Sequence, residues 1–207
     1  MNNFVEGNYE DKYNAKNPIS KLLMNNFLKS FKASLDEIDE NEIKTVCEVG
    51  VGEGSLLKNL VKIFPKAKYW ATDLSDSEVK KAKNSLEGIK KVNFNVQNAE
   101  NLYVFKDKQF DLIICCEVLE HVMNYKKALT ELKRISKKYV LISVPNEPIW
   151  RILNMIRGKY LSEFGNTPGH LNHWSSITFK KLIKSEKFLI LDIKHPFPWQ
   201  MVLLKVS

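Results

Sequence analysis

The chain has 207 residues, of which 44% are hydrophobic, 27% charged and 11% aromatic. This composition is typical of a soluble globular protein, and the length predicts a single domain over residues 1–207. The opening residues contain no apolar segment of the kind found in signal peptides, and no apolar run reaches the roughly 18 residues of a membrane span. We therefore expect a cytoplasmic protein.

The formal net charge is +8, which is compatible with nucleic acid, anionic lipid or a phosphorylated substrate. The lysines are scattered, and no basic run is interleaved with aromatic residues, so the pattern favours solvated faces over nucleic-acid binding. The three cysteines, Cys47, Cys115 and Cys116, lie inside apolar strand-like runs. They predict buried thiols in a reducing compartment rather than a metal site or a disulfide.

Strand-like and helix-like segments alternate along the chain. In order, the pattern predicts a helix at 17–31, a strand at 44–50, a helix at 55–64, a strand at 67–73, a helix at 76–88, strands at 92–96 and 110–116, a helix at 124–136, and strands at 139–144, 188–195 and 199–206. The repeated strand–helix–strand units imply a parallel, doubly wound α/β sheet. The last two strands are joined only by Pro-Phe-Pro, too short for a crossover helix, so they must form an antiparallel pair at one edge.

Two segments decorate this sheet: a helical lid over residues 1–43 and a capping insertion over residues 146–172. The insertion carries an apolar stripe at helical spacing, formed by Ile149, Leu153, Ile156 and Tyr160. We expect this stripe to pack in the core. The alternative is contact with an anionic membrane, because one tryptophan and three basic residues surround the stripe. These are Trp150, Arg151, Arg157 and Lys159.

Three glycines, Gly50, Gly52 and Gly54, directly follow the first strand. The third comes one position earlier than in the dinucleotide pattern G-x-G-x-x-G, and Glu53 puts a negative charge where a pyrophosphate would need the helix N-terminus. The lysine of a triphosphate-binding loop is absent as well. The turn therefore favours a ligand with a positive centre and no phosphate.

Five motifs follow one another in the chain: "CEVGVGEGS", "ATDLS", "QNAENL", "FDLIICCEVLEHV" and "ISVPN". In this order and spacing they resemble the class I S-adenosylmethionine-dependent methyltransferases, and the fourth resembles the type 11 subgroup. The likeness runs from about residue 44 to the C-terminus. It implies a Rossmann-like, seven-stranded sheet with a parallel core, S-adenosylmethionine as cofactor and S-adenosylhomocysteine as its product.

The resemblance implies the roles of the cofactor-binding residues. The glycine turn leaves space for the methionine and ribose, and Asp73 accepts hydrogen bonds from both ribose hydroxyls; capping of the next helix is the alternative role of Asp73. Glu48 hydrogen-bonds near the methionine moiety. On the adenine side the resemblance places Leu74 in the pocket, and Asn98 and Ala99 where the family has Asp-Ala. The backbone of Cys116 and Glu117 lies at the methionine end. Tyr13, with Tyr9, closes over the cofactor or packs as part of the lid. Asn98 departs from the family aspartate, so we expect weaker adenine binding.

Three histidines are candidate catalytic bases for a hydroxyl acceptor: His121 after the fourth strand, and His170 and His173 in the insertion and just beyond it. Orientation of loops is the alternative role. Glu117, Glu120 and His121 also resemble the metal-binding E-x-x-E-H of small-RNA 2′-O-methyltransferases and ubiquinone-pathway O-methyltransferases, with His173 as a fourth ligand. The same residues occur in relatives without a metal, where they cap a helix, and we assign no metal ligand.

The resemblance implies a methyltransferase that acts on a small or lipid-linked molecule, at oxygen. A metal-assisted RNA 2′-O-methyltransferase is the alternative, although the sequence shows no separate RNA-binding module and no aromatic platform for bases. A degenerate fold acting as a partner subunit is the non-enzymatic alternative. The intact Glu48, Gly50, Gly52 and Asp73 argue against it.

Overall fold

The structure, a computed structural model, describes residues 18–89 and 92–206. Its helices are α1 (Pro18–Leu35), α2 (Ser55–Ile63), α3 (Asp76–Ser85), α4 (Tyr125–Ile135), α5 (Ile149–Ile156) and α6 (Ser176–Ser185), with short 3₁₀ turns at Glu40–Glu42 and Leu161–Glu163. Its strands are β1 (Thr45–Val49), β2 (Lys68–Asp73), β3 (Val92–Val96), β4 (Phe110–Cys116), β5 (Ser136–Pro145), β6 (Leu189–Lys194) and β7 (Trp199–Lys205). All the elements predicted from the pattern are present.

The seven strands form one sheet in the order β3-β2-β1-β4-β5-β7-β6. Strands β1 to β5 are parallel, whereas β7 runs antiparallel between β5 and β6. This confirms the doubly wound α/β fold and the antiparallel pair. The order reverses between β1 and β4, and such a switch point opens a crevice at the carboxyl ends of the strands.

The central strands are buried on both faces, as the apolar runs predicted. Along β1, Val46 belongs to one hydrophobic cluster and Cys47 to the other; along β4, Leu112 and Ile113 divide in the same way. The three cysteines are buried and free, and burial raises the pKa of each thiol. The prediction of buried thiols is confirmed.

Helix α1 is a layer of the core, because it buries Met24, Phe27 and Phe31 against the sheet. The ring of Phe27 meets Trp199 of β7 edge-on at 5.3 Å, and Ser34 Oγ donates to Asp192 on β6 at 2.8 Å. The helix therefore continues to Leu35, four residues beyond the predicted end. The rest of the predicted lid includes residues 1–17, and so Tyr9 and Tyr13, which lie outside the described residues.

The insertion contains α5, whose most buried residue is polar. Asn154 is buried and its Nδ2 donates to Gly165 O at 2.9 Å and to Thr167 Oγ1 at 3.1 Å, while Ile156 is 75% exposed. The prediction that the apolar stripe packs in the core is therefore wrong for Ile156. The helix turns its amide inward because the loop carbonyls behind it need a donor.

None of the described helices combines the length and the apolar character needed to span a bilayer.

Candidate functional site

The glycine turn lies at the carboxyl end of β1 and is held to β2, since the Gly50 and Val51 amides both donate to Thr72 O. All three glycines have positive φ: 79° at Gly50, 48° at Gly52 and 81° at Gly54. A Cβ on Gly50 would overlap the Val118 side chain, and one on Gly54 would lie 2.9 Å from Leu86 Cδ1. A Cβ on Gly52 would meet nothing within 4 Å. Two glycines thus allow packing, and Gly52 is the one that borders open space.

Asp73 ends β2 and organises the turn. Its Oδ2 accepts from the Gly52 amide at 3.0 Å and its Oδ1 from the Ser75 amide at 3.0 Å. The helix-capping role falls to Ser75, whose Oγ accepts from the Glu78 amide at 3.4 Å. Burial raises the pKa of Asp73. A carboxylate has about four lone-pair sites, so Asp73 keeps acceptor capacity beside these amide bonds.

Glu48 occupies the middle of the sheet, on β1 between Ala71 of β2 and Ile114 of β4. It is 2% exposed, and among the described residues its Oε2 has no hydrogen-bond partner. Burial, reinforced by the charge of Asp73, raises its pKa well above the usual range. A buried carboxyl oxygen without a partner is costly, so this atom marks a place for a ligand donor.

The predicted adenine-side residues follow β2 and β3. The Gln97 amide donates to Asp73 O at 2.8 Å, which joins the two strand ends. Asn98 Oδ1 accepts from the Glu100 amide at 2.8 Å and so closes a turn, with one lone pair left for another donor. Leu74 is half-exposed and Ala99 is buried.

Cys116 and Glu117 lie where β4 ends. Glu117 has a left-handed backbone, φ 58°, which is uncommon for a residue other than glycine and occurs at functional sites. Its amide donates to Ser143 O and its Oε1 accepts from Ser143 Oγ at 3.1 Å. This carboxylate is therefore turned toward β5.

His121, Glu120 and His170 come together above β4. His121 Nδ1 donates to Gly169 O at 2.9 Å, because a carbonyl oxygen only accepts. In the neutral imidazole Nε2 is then the acceptor nitrogen, and it lies 4.0 Å from Glu120 Oε1. The His170 ring meets His121 edge-on at 4.9 Å and stacks on Trp150 at 6.0 Å. One ligand atom from each of the three residues lies within 4.8 Å of the others.

The residues that come together differ from the alternative metal set named from the sequence. His170 takes the place predicted for His173, and Glu117 lies outside the group, held by Ser143. His173 Nε2 is hydrogen-bonded to Asn166 Oδ1 at 2.7 Å, and burial lowers its pKa, with a contribution from Arg151. Of the three candidate catalytic histidines, the structure brings two together and places the third on a separate hydrogen bond.

Two residues near the site, Asn172 and Glu147, were not predicted from the sequence. Asn172 fastens the insertion to the loop after β4: its amide donates to Glu120 O, and its Nδ2 donates to Leu119 O at 3.0 Å and to Val122 O at 2.7 Å. A lone asparagine in a loop gives no signal for this role.

Glu147 follows β5, is buried, and has a pKa raised by burial. An acidic residue at or just beyond the end of a strand is the signal that could have found it.

The switch point between β1 and β4, the glycine turn and the acidic end of β2 are the features that the resemblance to class I methyltransferases predicted at this edge of the sheet. Residues 47–142 match the family described as Methyltransferase domain. This part of the chain is thus similar to a methyltransferase domain, in agreement with the resemblance to the class I S-adenosylmethionine-dependent methyltransferases seen in the sequence.

Similar proteins include a putative methyltransferase of Methanocaldococcus jannaschii, 35% identical over 101 residues that make up 47% of this chain and 37% of that protein. A ubiquinone biosynthesis O-methyltransferase of Rickettsia bellii is 30% identical over 137 residues, or 65% of this chain and 54% of the relative. The chain thus spans between about a third and about half the length of these curated relatives.

Solved structures share the fold at low identity. The magnesium protoporphyrin IX methyltransferase of Synechocystis, with bound S-adenosylhomocysteine, has a TM-score of 0.71 and 19% identity, covering 95% of this chain and 91% of that one. The putative methyltransferase in complex with the Trm112 activator of Haloferax volcanii has a TM-score of 0.72 and 14% identity, covering 90% and 93%.

The residues of this chain fit the cofactor of the family. Asp73 keeps acceptor capacity beside Gly52, which suits two ribose hydroxyls. Glu48 presents a buried oxygen without a partner among the described residues, which suits the ammonium or sulfonium end of the methionine moiety. Neither residue offers a cation to a phosphate, in keeping with a cofactor that has none.

Proposed function

We propose that the chain transfers the methyl group of S-adenosylmethionine to an oxygen atom of a small or lipid-linked acceptor. The observation that carries the proposal is the bond of Asp73 to the Gly52 amide, with open space beyond Gly52. The name of the Rickettsia relative, a ubiquinone biosynthesis O-methyltransferase, supports an oxygen acceptor and a small molecule.

When bound, S-adenosylmethionine would supply a methyl group on a positively charged sulfur, a transfer in which charge is lost rather than created. The protein therefore acts mainly by position: Asp73 holds the ribose, Glu48 the methionine end, and the insertion closes the acceptor side. Alignment of this kind contributes on the order of 7–11 kcal/mol to lowering the barrier.

His121 is the proposed general base. In the neutral ring the Nδ1 proton is donated to Gly169 O, so Nε2 is the nitrogen that would take the proton of the acceptor hydroxyl. The neighbouring Glu120 carboxyl, 1% exposed and 4.0 Å from Nε2, then stabilises the imidazolium. Such a base contributes roughly 10²–10⁴-fold in rate. His170 packs on His121 and orients it. His173 is hydrogen-bonded to Asn166.

The test is calorimetric titration of the full chain with S-adenosylmethionine, S-adenosylhomocysteine and a nicotinamide dinucleotide, followed by transfer of a labelled methyl group to a panel of phenols with and without an isoprenoid tail. We expect saturable binding of the first two ligands and label on a hydroxyl. Preference for the dinucleotide, or no binding at millimolar concentration, would contradict the proposal.

A second candidate is metal-assisted transfer, including transfer to a ribose 2′-hydroxyl of RNA. It is favoured by the convergence of Glu120, His121 and His170, which could hold a divalent ion and polarise the acceptor oxygen. Turnover that stops in excess EDTA and returns with Mg²⁺ or Zn²⁺ would select this candidate. Full turnover in EDTA would leave His121 as the base.

A further inference from the structure

The outward side of the insertion is apolar. Five large side chains are exposed there, and together they are called the insertion surface: Ile152 (46%), Met155 (37%), Ile156 (75%), Leu161 (60%) and Phe164 (74%). They fall within 13 consecutive residues, on α5 and the 3₁₀ turn that follows it. Scattered exposed apolar residues are ordinary, but a group of this kind marks an interaction surface.

Polar bonds on the inner side fix this orientation. Asn154 Nδ2 donates to Gly165 O and Thr167 Oγ1, and Arg151 donates from Nε to Phe164 O at 3.0 Å and from Nη2 to Glu163 O at 3.1 Å. Rotating α5 to bury its apolar side would break these bonds and leave carbonyls without donors. The exposure of the insertion surface is therefore built into the segment.

The charges beside the insertion surface are mainly positive. Arg157 ends α5 and Lys159 follows two residues later, with Glu163 as the acidic residue of the same stretch. The whole chain carries a formal net charge of +8. Apolar side chains flanked by basic ones are typical of segments that lie in the interface of an anionic bilayer, where the apolar groups insert and the basic groups meet lipid phosphates.

The same insertion reaches the catalytic group. The Leu171 amide donates to Glu120 O at 2.7 Å, and Gly169 O accepts from His121. Leu171 is half-exposed, and Met123, on the loop that Asn172 fastens, is 85% exposed. Exposed apolar side chains are thus present both on the insertion surface and beside the site.

We propose that the insertion surface docks on the surface of an anionic lipid bilayer and holds the mouth of the site at the membrane. This deepens the proposed function, because a lipid-linked acceptor would then be met where it resides. Docking itself needs neither cofactor nor acceptor, so it stands or falls independently of methyl transfer.

The experiment is co-sedimentation of the full chain with vesicles of phosphatidylcholine alone and with about a third phosphatidylglycerol, without cofactor. We expect binding to the anionic vesicles, reduced about tenfold or more by Ile156→Ser combined with Phe164→Asn. Asparagine suits position 164 because Phe164 has a left-handed backbone, φ 50°. Arg157→Gln with Lys159→Gln should reduce binding to anionic vesicles on the order of tenfold.

The matched control is Ile177→Ser, a similarly exposed isoleucine (69%) on α6, outside the insertion, which should bind like the unaltered chain. Chemical denaturation of each variant checks that the exposed substitutions leave the fold intact. The proposal is overturned if the unaltered chain stays in the supernatant with anionic vesicles, or if the Ile156/Phe164 variant still sediments fully. It is also overturned if the chain is a dimer that this variant dissociates, because the surface would then belong to a second copy.

Discussion

The Asp73 carboxylate accepts hydrogen bonds from the Gly52 and Ser75 amides. In the proposed function it also accepts hydrogen bonds from the hydroxyls of the cofactor ribose. Asp73→Ala removes a charged acceptor from two hydroxyls, so we expect S-adenosylmethionine to bind at least about 100-fold more weakly by calorimetry. The control is Asp76→Ala, an exposed aspartate in the first turn of α3, which should leave affinity unchanged.

The same titrations as a function of pH probe the ionised form of Asp73. Its pKa is raised from 3.8 by burial, so the acceptor is complete above that raised pKa and is lost as pH falls through it. We therefore expect affinity to decline on acidification at a pH above that of an ordinary aspartate. Glu48 also has a raised pKa, so the comparison is made in a Glu48→Gln background. There Asp73→Asn should bind weakly with no such decline, and a parallel decline would contradict the ribose assignment.

Gly50 and Gly52 are two residues apart but have different surroundings: Gly50 packs against Val118, and Gly52 borders open space. Gly50→Ala would push a methyl group into Val118 at φ 79°, so we expect about 2–3 kcal/mol less stability by urea unfolding. Gly52→Ala meets no protein atom and should cost about 1 kcal/mol for its positive φ, while it weakens cofactor binding. Equal stability of the two variants, or full affinity in Gly52→Ala, would contradict this division.

At the scale of the element, the insertion is a segment whose position depends on side-chain-to-backbone bonds. The side-chain amide of Asn172 provides two of these bonds, from Nδ2 to Leu119 O and to Val122 O. Asn172→Ala should cost roughly 1–2 kcal/mol of stability and raise hydrogen exchange in residues 166–173. Cofactor affinity should stay within about twofold, because Asp73 and Gly52 belong to other elements.

The comparison variant is Asn93→Ala, in which an asparagine on the edge strand β3 loses a single bond to Tyr69 O. It should leave exchange in the insertion unchanged. If Asn172→Ala exchanges at the same rate as the unaltered chain, the insertion is held by its other contacts and this role for Asn172 is wrong.

Element types were predictable, and their ends less so. The predicted helix over 76–88 stops at Ser85, since Gly88 at φ 87° cannot continue it. Strand β5 begins at Ser136, three residues before its prediction, directly after α4 ends. Alternation of apolar residues sets the type, whereas a boundary depends on one cap or turn.

At the scale of the whole molecule, the sheet explains why distant residues meet. Glu48, Asp73 and Glu117 lie on or directly after three strands that are neighbours in the order β2-β1-β4. Parallel strands end at one edge, so residues about 20 to 70 positions apart converge there. This convergence was predictable from the alternating pattern, because the crossovers have a fixed hand.

The sequence by itself determined the fold class, the antiparallel pair at the C-terminal end and the similarity to methyltransferase domains, because periodicity and motif order can be read directly along the chain. Only the tertiary structure decided that His170, not His173, joins Glu120 and His121, and that α5 turns Asn154 inward and its apolar side outward. The reason is physical: which side of a helix is buried, and which of two histidines in one loop reaches a neighbour, depends on hydrogen bonds between segments far apart in the chain.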